Sequence, residues 1–395
     1  MSNQTTNKIL SAVAEAIDIP DSSYELAEDR YKALSEWFSR AESHCSDHDP
    51  HLYVQGSFRL GTVIRPLNKD GEYDLDMGCR LRRGISKTTH TQKQLKELVG
   101  EDVESYRLAQ AFKKPREEKN RCWRLIYSDQ LNFHLDAVPS IPEEQRRRAL
   151  IKEAMVKAGS SNDLSQSVSN LAGSITDKTL KNYASISNDW LISNSEGYAL
   201  WFESQMELAK PLFEKWVKAA KIDPLPAYLR KSPLQKCVQL LKRHRDVMFK
   251  DDSEGKPISI IITTLAASAY SGEVEIDDAL AGILDRMSGL IRPNTPRVPN
   301  PVNPEEDFAD KWDKPEYRYL RLADKFNLWL EQAKTDFKSL QTTRSSAVTG
   351  KVLRSAFSVN LSEEVSSKIP GLMAVTVDPK SHDVSNQPAK PWSCD

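Results

Sequence analysis

Two short stretches early in the chain combine residue types and spacing suited to chemistry on phosphate. Glu72-Tyr73-Asp74-Leu75-Asp76-Met77-Gly78 reads as a strand. Side chains alternate between faces along a strand, so Tyr73, Leu75 and Met77 share one face, with Asp74 and Asp76 on the other, roughly 6 to 7 Å apart. Two carboxylates that close repel each other, and one pKa rises unless a cation lies between them; a hard divalent cation with oxygen ligands meets that need. Upstream, a strand over Leu52 to Gln55 meets Gly56-Ser57, a small turn that opens a short helix. Glycine lets the backbone approach a ligand closely, helix-start N–H groups attract phosphate, and Ser57 adds a hydroxyl donor. A phosphate cradle followed by a carboxylate pair outlines a phosphoryl or nucleotidyl transfer site, which needs a third acid.

That acid is Asp136. A hairpin is expected over Cys122 to Tyr127 and Leu131 to Val138, with Leu131, Phe133 and Leu135 on one face and Asn132, His134 and Asp136 on the other. His134 reads as a polar neighbour of the acid. The Asp74-to-Gly78 segment is no calcium loop, because Gly78 stands where a third ligand is required. Neither a G-x-G-x-x-G before a helix nor a G-x-x-x-x-G-K-[ST] occurs, which sets aside hydride transfer and P-loop chemistry.

The elements that must position these residues follow from pattern. A helix near Ile9 to Ile17 precedes a longer one, begun by a capping box at Ser22 and Glu25 and buried along Tyr24, Ala27, Tyr31, Leu34 and Phe38. Arg80, Arg82 and Arg83 leave the acidic strand and read as solvated, with contact to phosphate open to some of them. A helix spans Thr91 to Phe112, and Arg146-Arg147-Arg148 opens another. Gly159 to Asn188, rich in Ser and Asn, reads as a flexible lid with a short strand near Ser174 to Asn182. From Ser195 the chain is mostly helical: a helix to about Lys221 kinked at Pro211, then one started by Ser232-Pro233. The latter buries Leu234, Cys237, Leu241 and Met248 and carries a polar stripe of Gln235, Gln239, Lys242 and Asp246, from which Lys242 reaches outward. Pro257 starts a helix through Tyr270 with Ser259 in its first turn, and another covers Ile276 to Leu290. Pro293 to Pro304 is a stiff extended connection, followed by helix over Glu305 to Trp312 and Pro315 to Leu340. The organisation is a catalytic lobe over 1–190, a helical lobe over 191–360 and a C-terminal tail over 361–395.

With 395 residues, 39% hydrophobic and 28% charged, the composition is that of a soluble globular protein. Lys and Arg number 55 against 56 Asp and Glu, so any polyanion site is a local basic patch and no general nucleic-acid coat. No apolar run is long enough to cross a bilayer, and five scattered cysteines without a CxxC pair suit a reducing compartment; the expected location is cytoplasmic.

Taken together, Gly56-Ser57, Asp74-Leu75-Asp76 and the later Asp136 resemble the polymerase-beta-type nucleotidyltransferase superfamily. Leu240-Leu241-Lys242-Arg243-His244-Arg245-Asp246 and Pro299-Asn300-Pro301-Val302-Asn303-Pro304-Glu305-Glu306 narrow the resemblance to the bacterial cGAS/DncV-like nucleotidyltransferases of CBASS anti-phage systems. The resemblance implies an α+β enzyme of two lobes, an N-terminal mixed-sheet catalytic lobe and a C-terminal helical lobe, with the long N-terminal helix packing across both. It implies that Asp74, Asp76 and Asp136 hold two Mg²⁺, with Mn²⁺ as a substitute. Gln55, Gly56 and Ser57 would bind the donor nucleotide, joined by Lys242 and Ser259. ATP and other NTPs would be linked and cyclised into a second messenger that activates an effector, an adenine-containing trinucleotide being favoured over a dinucleotide. A HORMA-domain protein or a ligase acting on the C-terminus is the implied regulatory partner. No zinc-ribbon insertion ties the chain to double-stranded DNA sensing. The competing readings are a non-cyclising transferase acting on tRNA or protein, and a catalytically silent nucleotide-binding scaffold.

Overall fold

A computed structural model describes residues 3–68, 71, 73–127, 133–209, 231–343 and 345–360. The expected Pro211 kink and the C-terminal tail lie outside the described residues.

In chain order, helices α1 (Asn3–Ile17) and α2 (Asp21–Ser39) lead to strand β1 (Pro50–Val54), the one-turn helix α3 (Gly56–Arg59) and strand β2 (Tyr73–Leu81). Helix α4 (Gln92–Ala109), short strand β3 (Glu117–Glu118), β4 (Trp123–Ile126) and β5 (Phe133–Pro142) follow, then α5 (Gln145–Lys157), α6 (Asn162–Asn170), β6 (Gly173–Ile175), β7 (Leu191–Ser193) and α7 (Ser195–Met206). The helical half comprises α8 (Pro233–Met248), α9 (Ser259–Ala269), α10 (Ile276–Met287), the small hairpin β8 (Pro299–Asn300) and β9 (Asn303–Asp307), α11 (Leu322–Thr342) and α12 (Ser346–Phe357).

The main sheet runs β1-β2-β5-β4-β3, and the far end of β5 continues through β6 to β7. Only the β2–β5 pairing is parallel among the described strands, so the sheet is mixed. Its inner face, with Leu75, Met77, Leu135 and Phe133, packs against Leu34 and Phe38 of α2 and Leu95 and Val99 of α4. A second core gathers α7 to α12 and takes in Ile9, Leu10, Val13 and Ile17 of α1. The N-terminal segment therefore serves both halves: α1 completes the helical core and α2 the sheet core.

Several expectations need correction. The Ser22–Glu25 capping box does not form. Pro20, fixed at φ −61 and ψ 150, is the residue before the helix, and its carbonyl already accepts from the Ser23 and Tyr24 N–H groups, which leaves Ser22 inside the first turn. Arg80 does not leave for solvent: it stays in β2, buried, ion-paired through Nη1 to Glu196 at 2.8 Å and donating to the Leu171 carbonyl. Much of the supposed lid is built structure, since α6 is capped by Ser161 accepting from the Leu164 N–H and buries Ser165, Val168 and Ser169. Small serines fit a close helix contact, and a nine-residue helix is too short to display a clear period. Glu305 to Asp307 form strand, not helix, because Asp307 accepts from the Arg297, Val298 and Ala309 N–H groups and folds the chain back as a hairpin.

Candidate active site

The acids lie where the parallel β2–β5 pairing sets them. Register aligns Asp76 with Asp136 and Asp74 with His134, and the antiparallel β4–β5 pairing aligns Arg124 with Asp136. Asp76, Asp136 and Arg124 thus form one row across three neighbouring strands, with Asp74 and His134 in the next row on the same face. Arg124 was not singled out in the sequence. The hairpin held the signal, since alternation in β4 puts Arg124 on the Asp136 side and Trp123 and Leu125 on the core side.

Arg124 grips both oxygens of Asp136, with Nε to Oδ1 and Nη2 to Oδ2 each at 2.7 Å. Its Nη1 lies 3.3 Å from His134 Nδ1, and its Nη2 lies 3.7 Å from Asp74 Oδ1. Hydrogen bonding to Asp136 raises the Arg124 pKa. Asp76, by contrast, is pushed up to about 6, first by burial and then by repulsion from Asp74 and Asp136. Among the described residues no group of three or more His, Cys, Asp or Glu side chains stands close enough to share one metal ion. The donor set still suits a hard cation: it is all carboxylate, and the raised Asp76 pKa means that any added positive charge beside it is favoured.

The Gly-Ser turn abuts the second acid. The Gln55 N–H donates to the Asp76 carbonyl at 2.9 Å, which continues the β1–β2 ladder up to the turn. Gly56 has φ +65, and a Cβ built there would lie 2.3 Å from Asp76 Oδ2, so glycine is required twice over. The Gln55 side chain reaches the other half of the molecule, its Oε1 accepting from Ser195 Oγ at 2.7 Å. Ser57 contributes its carbonyl to the Thr62 N–H at 2.9 Å.

Lys242 and its stripe depart from expectation. The stripe does not reach into solvent; it zips onto the segment after α3. Gln235 Nε2 donates to the Leu60 carbonyl at 2.9 Å, Gln239 Nε2 to that of Val63 at 2.7 Å, and Lys242 Nζ to that of Thr62 at 2.8 Å. Residues 60–65 lie outside helix and strand, so their carbonyls need donors, and a polar helix face supplies them. Lys242 thereby supports the Gly-Ser turn through Thr62. Its pKa is lowered to about 7, chiefly by burial and then by Arg245. Ser259 sits in the first turn of α9 and accepts from Arg245 Nη1 at 3.0 Å. The next residue, Ile260, lines a cavity of about 200 Å³ together with Gly56, Ser195, Tyr198, Asn300 and Phe308. The structure thus gathers Gly56 with Asp74, Asp76 and Asp136, and links Lys242 to them through Thr62; Ser259 is not brought to them and instead accepts from Arg245, one residue before the cavity-lining Ile260.

A mixed sheet with acids on its open face and a helical lobe across the cleft defines the fold as that of a polymerase-beta-like nucleotidyltransferase. The family model for the nucleotidyltransferase domain of cyclic GMP-AMP synthase DncV-like proteins matches residues 50–139, the span from β1 to the end of the acid-bearing face. A c-di-GMP synthase of Roseivirga ehrenbergii is 33% identical over 315 residues, covering 78% of this chain and 73% of the relative. Of solved structures, the Bradyrhizobium diazoefficiens CD-NTase CdnG in complex with GTP matches with TM-score 0.62 at 20% identity, over 89% of this chain and 95% of that one. The Escherichia coli MS115-1 CdnC:HORMA-deltaN complex matches with TM-score 0.56 at 14% identity, over 90% and 98%. The chain belongs to the bacterial CD-NTase family and is a nucleotidyltransferase whose class of activity is cyclic oligonucleotide synthesis. No helix among the described residues is long and apolar enough to cross a membrane.

Proposed function

We propose that the chain joins NTPs stepwise and closes them into a cyclic oligonucleotide second messenger that activates an effector in anti-phage defence. The observation that carries this reading is the alignment of Asp76 with Asp136, two residues from Asp74 and directly against Gly56. Asp74, Asp76 and Asp136 would hold two Mg²⁺; bound there, the ions supply Lewis-acid activation of the attacking ribose hydroxyl and neutralise the departing pyrophosphate. Asp136 orients and helps deprotonate that hydroxyl. Gly56 lets the donor phosphates approach the backbone, Ser57 offers its hydroxyl to them, and Gln55 fixes the turn through Ser195. Lys242 places an amine behind the same turn, ready to take a proton when phosphate arrives, and Ser259 flanks the donor at the start of α9.

The resemblance in the sequence favoured an adenine-containing trinucleotide. The relative named as a c-di-GMP synthase supports looking first for a guanine-containing dinucleotide. The HORMA-bound relative supports a HORMA-domain protein as first candidate partner, ahead of a ligase acting on the C-terminus.

The test is incubation of the purified chain with four labelled NTPs and Mg²⁺, followed by phosphatase and product separation, beside an Asp74→Ala, Asp76→Ala double variant. A phosphatase-resistant product made only with intact acids is the expected result, and omission of one NTP at a time names its bases. No such product, with candidate partners added, would sink the cyclase reading and shift weight to transfer onto RNA or protein.

A further inference from the structure

We propose that Arg124 is a positioning residue that stands in for a cation between the outer acids and keeps Asp136 out of the metal ligand set until an ion displaces it. The inference rests on the nucleotidyl-transfer reading of the same acids. A guanidinium is always charged and presents a rigid fork that matches a carboxylate, so two bonds of 2.7 Å on Oδ1 and Oδ2 occupy both oxygens of Asp136. Each oxygen keeps a further lone pair, but an ion approaching Asp136 meets the fixed positive charge of that fork at close range, so ligation is opposed for as long as the arginine holds its place. Arg124 is itself held: β4 pairs with β5 in fixed register, and its third nitrogen meets His134 Nδ1 at 3.3 Å. From this anchorage it also reaches Asp74 at 3.7 Å, so a single positive charge contacts the first and third acids, while at the middle one burial and repulsion outweigh its attraction.

This arrangement accounts for an otherwise odd fact. Three acids brought onto one sheet face by register do not form a three-ligand cluster among the described residues. The arginine takes the third carboxylate, and Cys122 also hydrogen-bonds to it. Assembly of the site is then an exchange, in which Asp136 trades an arginine contact for a metal contact.

The full-length protein without nucleotide is titrated with Mn²⁺ and free ion is followed by electron paramagnetic resonance. Arg124→Met keeps the length of the stem and removes charge and fork; it is expected to bind Mn²⁺ about tenfold or more tightly than wild type, a factor within reach of one nearby charge at moderate effective dielectric. Arg124→Lys keeps the charge with a single point donor and is expected to fall between the two. In active preparations the Mg²⁺ concentration giving half-maximal product falls in the same order. Equal or weaker Mn²⁺ binding by Arg124→Met, in a variant that melts like wild type, would overturn the proposal. Should Arg124→Met fail to fold, the lysine variant decides alone, and affinity equal to wild type rejects the exchange. Tighter Mn²⁺ binding with no nucleotide product from wild type would leave the exchange standing and defeat the function proposed above.

Discussion

At the scale of single residues, Gly56 and Asp76 constrain each other. Gly56→Ala would place a methyl 2.3 Å from Asp76 Oδ2 at a backbone φ of +65, where an L-residue alone costs about 1–2 kcal/mol. The variant should melt several degrees lower and lose most product formation, because either the turn or the carboxylate must move; wild-type melting and turnover would refute this coupling. Asp76 also makes a pH prediction with a definite sign. Its carboxyl titrates near 6 in the folded chain and near 3.8 unfolded, so between those values the folded state holds more protons. Its contribution to stability is therefore greatest below about pH 4 and declines as pH rises through 6. Asp76→Asn should remove this decline, so that its melting temperature gains on wild type as pH is raised from 4 to 7 in metal-free buffer. A difference constant across that range would contradict the assignment.

At the scale of elements, α8 binds the halves together through its polar face. Gln239 is fully buried and its amide nitrogen serves both the Val63 carbonyl and Asp18. Gln239→Leu strands the Val63 carbonyl, while Asp18 keeps Ile19, Tyr24 and Lys231, and should lower unfolding free energy by about 1–3 kcal/mol in urea titrations, with product formation falling as the Gly-Ser turn loosens. An unaltered denaturation midpoint would show that the zipper carries no weight. This face also marks how far the sequence could be read. Strand alternation put Asp74, Asp76 and Asp136 on the open face, and the Ser232-Pro233 cap located the helix start, with both reciprocal capping-box bonds formed. Those signals are local. What stayed hidden depends on partners distant in sequence: a stripe that looks solvated turns inward because 60–65 offers bare carbonyls, and Arg80 is buried because Glu196 awaits it. Arg124 lay between these cases, legible only once the hairpin register was fixed.

At the scale of the whole molecule, a buried lysine of one half stands behind the Gly-Ser turn of the other, and on the proposed function this would couple nucleotide binding to protons. Lys242 has its pKa lowered to about 7 from 10.5, chiefly because burial disfavours the charged amine. Between those values the unfolded chain holds the extra proton, so this group's contribution to stability rises with pH from 7 toward 10.5. A polyphosphate delivered to the Gly-Ser turn reverses the preference and favours the charged amine. At pH 8 the lysine of the unliganded protein is mostly neutral, Asp76 is already ionised, and the nucleotide's terminal phosphate, with a second pKa of about 6, is ionised too. Net proton uptake on NTP binding at that pH must then come from the amine. Calorimetric titration of a non-hydrolysable NTP with Mg²⁺, in buffers of differing ionisation enthalpy, should show uptake approaching one proton per nucleotide in wild type and far less in Lys242→Met. Equal uptake by the two proteins would detach Lys242 from the phosphates and leave it as a brace for Thr62 alone.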